Sequence, residues 1–425
     1  MSSATPRWWQ LAAYGLLGLP LAMAALPVYV QVASYYHLQH GTGLAMLGWV
    51  MFAARLLDTL QDPLLGHLID RLRQVQRVLT AGAVLLAAGF AGLWQAPAAL
   101  LAPLLWLSLM LVVTYSAHSL LNIAYLAWGS RLSAQASHGS APLLSATAWR
   151  EGWGLLGLII GSTIPATILS QPRAQIVGQM GSYSLAFAVL LGLALFALLK
   201  LAPAWPPASA PAPHWRSVLQ QMRANHAFRH LLLPYLLNSC AVALPATLAL
   251  FYIGDQLQAA PLAGLFLGSY FIAAAAGLPV WTRLAQRYGA LACWRSGMLL
   301  AIASFAGAAL LGAGDVWLYG LICLGAGAAL GADLAMPNVL LAQSIPPEQA
   351  PAAYYGVLTL LGKLALALSG LALPLLALLG YQPGQTGHAA LPLVYAALPC
   401  LLKLLALLTL QRAHPILTTP LRRPA

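Results

Sequence analysis

Three ionisable residues lie within one long apolar stretch near the start of the chain. Arg55, Asp58 and Asp62 fall in the sequence ARLLDTLQDPLLGHLID. Their spacing of three and then four residues places them on one face of a helix. Two carboxylates one turn apart repel each other when both are ionised, and they relieve the repulsion by holding a proton or a cation. The pattern indicates a cation site. The alternative is a structural Arg55–Asp58 pair, with Asp62 capping a helix break at Pro63.

The composition places these charges inside a membrane. The chain has 425 residues, of which 61% are hydrophobic and 7% charged, whereas a soluble domain is about one quarter charged. Apolar runs of about 20 residues recur along its length, and each can cross a bilayer as a helix. We therefore expect an all-α, multi-pass integral membrane protein, of a bacterial cytoplasmic (inner) membrane. A charge at the bilayer centre costs about 2.5 to 3.5 kcal/mol, so the acids must face a partner or a watery cavity.

Apolar runs and polar breaks predict twelve transmembrane helices. An A-x-A sequence at 22–24 resembles a signal-peptide cleavage site, but the apolar run continues to Tyr36, so it is counted in the first span. The four cysteines have unrelated spacings and match neither a metal motif nor a disulfide framework. The predicted spans are 11–36, 44–69, 77–95, 100–129, 144–170, 181–202, 230–254, 261–286, 290–312, 316–343, 353–380 and 388–411.

The basic residues predict that both termini are cytoplasmic. The chain has 20 Lys and Arg in total. With this orientation only Arg173 lies on the opposite side, and three lie within the membrane: Arg55, Arg150 and Lys363. This asymmetry follows the positive-inside rule, and it accounts for the net charge of +12 without a nucleic-acid partner. The sixteen remaining basic residues, in the cytoplasmic flanks, are Arg7, Arg71, Arg73, Arg77, Arg131, Lys200, Arg216, Arg223, Arg229, Arg283, Arg287, Arg295, Lys403, Arg412, Arg422 and Arg423.

The longest polar break divides the chain into two six-helix halves. We expect an N-terminal half at 1–202, a cytoplasmic linker at 203–229 and a C-terminal half with its tail at 230–425. LLGHLIDRL in the first half aligns with VWTRLAQRY in the second, so that Pro63 falls on Pro279. Two related six-helix halves are typical of the major facilitator fold, in which the substrate binds at midplane between them. In the same register Asp58 falls on Ala274 and Asp62 on Leu278, so the second half lacks the acids.

Other polar residues in the spans extend the candidate site. Lys363 in span 11 needs a carboxylate or loses its proton, and Asp58 and Asp62 are its best candidate partners, which would link the halves. The alternative is that its long side chain extends to the membrane surface. Arg150 at the start of span 5 faces the cavity or a cytoplasmic gate; as a neighbour in sequence, Glu151 is not expected to pair with it. Ser119 and Asn122 share a face of span 4. Asp70 and Arg71 are interpreted as gate or helix-end contacts, and Asp333 in span 10 as a further acid at a gate or polar helix crossing.

RLLDTLQDPLLGHLIDR resembles the span 2 motif of the glycoside–pentoside–hexuronide:cation symporters, the group of the melibiose permease. NIAYLAW, SATAWREGWGLLG, GVLTLLGKLALAL and LLGYQPG fit the same family in order, over nearly the whole chain. The resemblance implies a cation site at Asp58, Asp62, Gln61 and Ser119. Gln61 stands where Asn is expected, and Ser119 where Thr is expected, and either change is able to shift the choice of cation away from sodium. Lys363 matches the family's lysine, and Arg55 and Arg150 match its two arginines.

The residues at the family's sugar-binding positions are different in this chain. Acids that hold sugar hydroxyls in the melibiose permease correspond here to about Ala22 and Asn122, and an alanine side chain accepts no hydrogen bond. We place the substrate cavity at Ala22, Asn122, Arg150 and Thr359. The family extends to lysolipid symporters, so an amphiphile is an alternative to a glycoside.

These features predict a cation-coupled symporter of a small organic solute that works by alternating access, and not an enzyme. No cofactor is expected besides the coupling ion, which is a proton or Na⁺; Asp58 and Asp62 would be metal ligands only with Na⁺. The expected partners are solute, cation and bilayer, and the expected state is a monomer. A proton-driven exporter of apolar compounds would use the same acids. A prenyltransferase-type enzyme, with magnesium diphosphate at Asp58 and Asp62, would need a second acid-rich motif in the other half.

Overall fold

The computed structural model describes residues 6–26, 28, 31–42, 44–71, 74–96, 102–134, 141–169, 171–204, 215–346, 349, 351–382 and 384–418. These residues are mostly helical and include no β-strand. The chain forms two compact units. The first unit consists of Met1–Ala212 with Ala350–Val357, and the second of Pro213–Gln349 with Leu358–Ala425.

The first unit contains eight helices of its own within the described residues, most of them long enough to cross a bilayer. They are α1 (Trp8–Gly15), α2 (Gly18–Leu26), α3 (Val32–His40), α4 (Leu44–Arg71), α5 (Val75–Trp94), α6 (Pro103–Ala134), α7 (Ala141–Leu169) and α8 (Arg173–Lys200).

The second unit begins with a short helix and continues with long ones. Two π-helical turns, Tyr252–Gln256 and Leu393–Ala397, extend α10 and precede α17. The first residues of α14, up to Val357, count with the first unit. The helices are α9 (Trp215–Ala224), α10 (His226–Phe251), α11 (Ala263–Tyr288), α12 (Ala290–Phe305), α13 (Val316–Ser344), α14 (Ala352–Ser369), α15 (Ala372–Leu378), α16 (Ala390–Pro392) and α17 (Leu398–Thr418).

Ten helical segments in the described part of the chain have the length and apolar composition of a membrane span. They correspond to the predicted spans 3 to 12. Span 2 is α4, which has 28 residues and includes the charged stretch. Span 1 was predicted as one helix but consists of α1, α2 and α3. Pro20 contributes to the interruption between α1 and α2, because it has no N–H to bond the carbonyl of Leu16.

Helix packing in the first unit positions the charged stretch. Helix α4 packs against α6, and α7 packs against α1 and α2. The contact between α7 and α2 is close because Gly157 has no side chain: a Cβ there would lie 2.1 Å from the carbonyl oxygen of Leu19. The interior of α4 is helical through Pro63, so the helix break that the capping interpretation of Asp62 requires is absent.

The second unit is built around α13 and α10. Helices α11 and α12 pack on α13, and α10 packs on α17. Asn225 caps the start of α10 by accepting a hydrogen bond from the backbone N–H of Phe228 at 2.9 Å. At the other end of α10, the rings of Tyr252 and Tyr395 stack at 4.0 Å between centroids. Both tyrosines lie in the π-helical turns, so these turns form part of the packed core.

Candidate cation site

Two carboxylates are buried on one face of α4. Asp58 is 3% exposed and Asp62 is 0% exposed, and their spacing of four residues places them one turn apart. Arg55, one turn before Asp58, is exposed. Burial makes ionised carboxylates costly unless hydrogen bonds or a cation stabilise them.

Neutral polar side chains contact Asp58. The hydroxyl of Ser119 on α6 donates to Asp58 Oδ1 at 2.9 Å. The amide Nε2 of Gln61 donates to the same oxygen at 3.2 Å. Ser116, one turn before Ser119, donates to Gln61 Oε1 at 2.8 Å. The packing of α4 on α6 therefore brings together Asp58, Gln61 and Ser119, as the family resemblance implied, and adds Ser116.

This arrangement can hold a proton or a hard cation. Carboxylate, hydroxyl and amide oxygens are the ligands that hard cations prefer. Gln61 presents its N–H₂ to Asp58, so its oxygen would contact a cation beside Asp58 only after the amide turns. The described residues hold no group of three or more His, Cys, Asp or Glu that could bind a metal ion. A bound Na⁺ would therefore need neutral oxygens in addition to the two acids.

The predicted substrate residues lie on several helices. Ala22 on α2 and Asn122 on α6 are half-buried. Thr359 and Lys363 are half-buried on the part of α14 that belongs to the second unit. Their roles in substrate binding and in linking the halves stay predictions.

Arg150 forms an ion pair with Glu151, which is not expected from their adjacent positions in the sequence. Its Nη2 donates to Glu151 Oε1, and the two side chains are 11% and 17% exposed. Adjacent residues leave a helix in different directions, but these two long side chains bend towards each other. The positive charge of Arg150 is therefore neutralised within α7.

Asp70 at the end of α4 contacts two other segments of the first unit. Its Oδ1 accepts from Arg131 Nη2 and from the backbone N–H of Ala352, both at 3.2 Å. Its Oδ2 accepts from the N–H of Ala353 at 2.9 Å. A carboxylate at a helix N-terminus satisfies N–H groups that have no partner within the helix. Asp70 thus fixes the start of α14, while Arg71 is exposed.

Asp333 is part of a buried ionic cluster in the second unit, which we call the α13 cluster: Asp333, Lys403, Asn238 and Trp294. Lys403 Nζ lies 2.6 Å from Asp333 Oδ2, with side chains 9% and 5% exposed. Asn238 Nδ2 and Trp294 Nε1 each donate to Asp333 Oδ1 at 3.1 Å. Lys403 also donates to Asn238 Oδ1 at 2.8 Å. The assignment of Lys403 to the cytoplasmic flank gave no sign of this contact, in which the lysine is buried against an acid.

Two features of the structure are not part of the sequence-based prediction: the contact of Ser116 with Gln61 and the contact of Lys403 with Asp333. Ser116 lies three residues before Ser119, so helical spacing alone places both hydroxyls on one face of α6. Lys403 and Asp333 are 70 residues apart, and no local pattern joins them. Only the packing of the helices shows that they meet.

Comparisons with known proteins identify the architecture. The model of the family described as MFS/sugar transport protein matches residues 11–416. No significant match is found among curated proteins.

Solved structures share the fold at low sequence identity. A bacterial homologue of the iron transporter ferroportin has a TM-score of 0.73 and 16% identity, over 95% of this chain and 99% of that one. The fucose:proton symporter FucP of E. coli has a TM-score of 0.69 and 16% identity, over 95% and 97%. The proton:xylose symporter XylE has a TM-score of 0.65 and 13% identity, over 93% and 94%. The predicted major facilitator fold is confirmed.

Proposed function

The chain belongs to the MFS/sugar transport protein family and is a membrane transporter, and on this premise we propose that it is a cation-coupled symporter. Asp58 and Asp62 bind the coupling ion, with Gln61 and Ser119 as neutral partners. Membership of the narrower glycoside–pentoside–hexuronide:cation symporter group is part of this proposal.

The burial of Asp58 and Asp62 is the main support for this proposal. Asp58 and Asp62 are buried one turn apart in α4, the helix at predicted span 2, where two neutral side chains donate hydrogen bonds to Asp58. Buried acids in a span are costly, and they commonly mark ion and proton pathways. The second half has Ala274 and Leu278 at the aligned positions, so the acids are not needed to build a six-helix half.

The proposed mechanism is alternating access driven by the ion. Binding of a proton or Na⁺ neutralises the carboxylates and changes the relative free energies of the inward- and outward-facing states. The ion and the solute couple only if each binds one state more tightly than the other.

The solute is a small organic molecule such as a glycoside or another amphiphile. Support comes from the family description and from two structural neighbours that are sugar:proton symporters by name. Ala22 offers no acceptor for sugar hydroxyls, which favours a solute held by fewer polar contacts.

Ion-dependent thermal stability tests the proposal. The purified protein is melted over a range of pH, with and without Na⁺, as the wild type and as Asp58→Asn with Asp62→Asn. Ser108→Ala is the control, because the Ser108 hydroxyl bonds the carbonyl of Leu104 in its own helix. Sugars, nucleosides and lysolipids are screened under each condition.

A melting temperature that depends on Na⁺ or on pH in the wild type and in Ser108→Ala, but not in the double variant, is the expected result. A solute that stabilises only together with that ion identifies the substrate class. Equal responses in the wild type and the double variant would assign the acids a structural role and reject the proposal.

A further inference from the structure

A groove between α5 and α8 is lined by polar and basic side chains. It has a volume of about 540 Å³ and is lined by Gln76, Arg77, Thr80, Ala81, Leu199 and Lys200. Arg77 lies in the first turn of α5 and Lys200 at the end of α8, and these helices pack together. Both positions are at the predicted cytoplasmic ends of their spans.

The two cations of this groove are not neutralised by the protein. Arg77 and Lys200 are exposed, and within the described residues neither forms an ion pair. Asp70, an acid at the same predicted end of the unit, already binds Arg131. The groove therefore has two positive charges available to an external anion.

An apolar track continues from the groove towards the membrane centre. On α5, Val84 lies two turns beyond Arg77 and is 63% exposed. On α8, Phe196 and Leu193 lie one and two turns before Lys200 and are 59% and 60% exposed. Because the helices run in opposite directions, these side chains lie at similar depths, about 6 to 10 Å from the cations.

We propose that this groove binds an anionic phospholipid of the cytoplasmic leaflet. The phosphate contacts Arg77 and Lys200, Gln76 contributes an amide, and the acyl chains lie along Val84, Leu193 and Phe196. Basic pockets between transmembrane helices at the cytoplasmic face are suited to anionic headgroups. A free phosphate would satisfy the cations but would leave the apolar track exposed.

Lipid titration tests the proposal. Phosphatidylglycerol is added to the purified protein in detergent, and the midpoint of the rise in melting temperature is measured. Phosphatidylcholine and inorganic phosphate are titrated in parallel. Arg77→Gln with Lys200→Gln should shift the phosphatidylglycerol midpoint about 30-fold to higher concentration, from the loss of two cations near the surface.

Two further variants separate a site from bulk charge. Arg283→Gln with Arg287→Gln removes two exposed arginines of α11, also predicted to be cytoplasmic, and should leave the midpoint unchanged. Arg77→Lys with Lys200→Arg keeps both charges and should bind as the wild type does. An unchanged midpoint in the protein with Arg77→Gln and Lys200→Gln, an equal shift in the α11 variant, or equal stabilisation by inorganic phosphate or phosphatidylcholine would overturn the proposal.

Discussion

The hydroxyl of Ser119 is a direct contact of Asp58. It donates to Oδ1 at 2.9 Å in a buried position, and hydrogen bonds to charged groups contribute about 1.5 to 3 kcal/mol. Ser119→Ala should therefore lower the free energy of unfolding by about this amount. Melting in one detergent at neutral pH measures the effect.

The same substitution at Ser108, whose hydroxyl bonds the carbonyl of Leu104, is the control for α6. In an Asp58→Asn background the cost of Ser119→Ala should fall, because the amide is a weaker acceptor than a carboxylate. An equal cost in both backgrounds would show that Ser119 does not act through Asp58.

Part of the candidate site could be predicted from the sequence. The spacing of Asp58 and Asp62 and the family motif indicate four residues, and the structure shows two of them, Gln61 and Ser119, bonded to Asp58. Ser116 was not selected, although its hydroxyl fixes the orientation of Gln61. The Arg150–Glu151 pair was missed because helix geometry predicts Cβ directions and not the paths of long, flexible side chains.

Gly157 determines how closely α7 approaches α2. A Cβ at this position would lie 2.1 Å from the carbonyl oxygen of Leu19, which is backbone and cannot move aside alone. Gly157→Ala should lower the free energy of unfolding by about 1 to 3 kcal/mol, the usual cost of overpacking. Thermal melting measures the loss.

Gly152 on the same helix is the matched control. A Cβ there meets no atom within 4 Å, so Gly152→Ala should be neutral or stabilise by up to about 1 kcal/mol through helix propensity. Similar losses from both substitutions would contradict the role of close packing at Gly157.

The α13 cluster connects α10, α12, α13 and α17. Removing one member of a buried ion pair leaves the other charge without compensation and costs about 3 to 5 kcal/mol. Asp333→Asn and Lys403→Met should each destabilise by about this amount, and the double variant should recover a large part of the loss. A double-mutant cycle on melting measures the coupling.

Arg283→Met removes an exposed arginine of α11 and should have little effect. If the costs of Asp333→Asn and Lys403→Met simply add in the double variant, the two charges do not stabilise each other.

The elements were predicted with uneven success. Helices α4 and α13 begin at the predicted residues and end within two residues of the predicted ends, because polar residues bound their apolar runs. Span 1 is divided, and span 12 begins with α16 and a π-helical turn. Hydropathy measures only apolarity over a window, so it does not detect such irregular backbone.

For the whole molecule, the sequence predicted the membrane class and the major facilitator fold correctly. Low charge content and recurring apolar runs follow from the requirement that side chains facing the hydrocarbon core be apolar. The tertiary partners of charged residues were harder to predict, and Lys403 is the clearest case. A lysine eight residues before the end of a predicted span is compatible with a cytoplasmic flank, and only the packing of α17 on α10 shows its burial.

Equilibrium binding of the ion is the sharpest test of cation coupling at Asp58 and Asp62. Radioactive sodium binding and proton uptake are measured on the purified wild type, on Asp58→Asn with Asp62→Asn, and on Ser108→Ala. For a cation-coupled symporter we expect the wild type and Ser108→Ala to bind sodium in competition with protons, or to take up a proton alone, and the double variant to lose this binding. Undiminished ion binding by the double variant, or no ion binding by the wild type, would show that Asp58 and Asp62 do not bind a coupling ion.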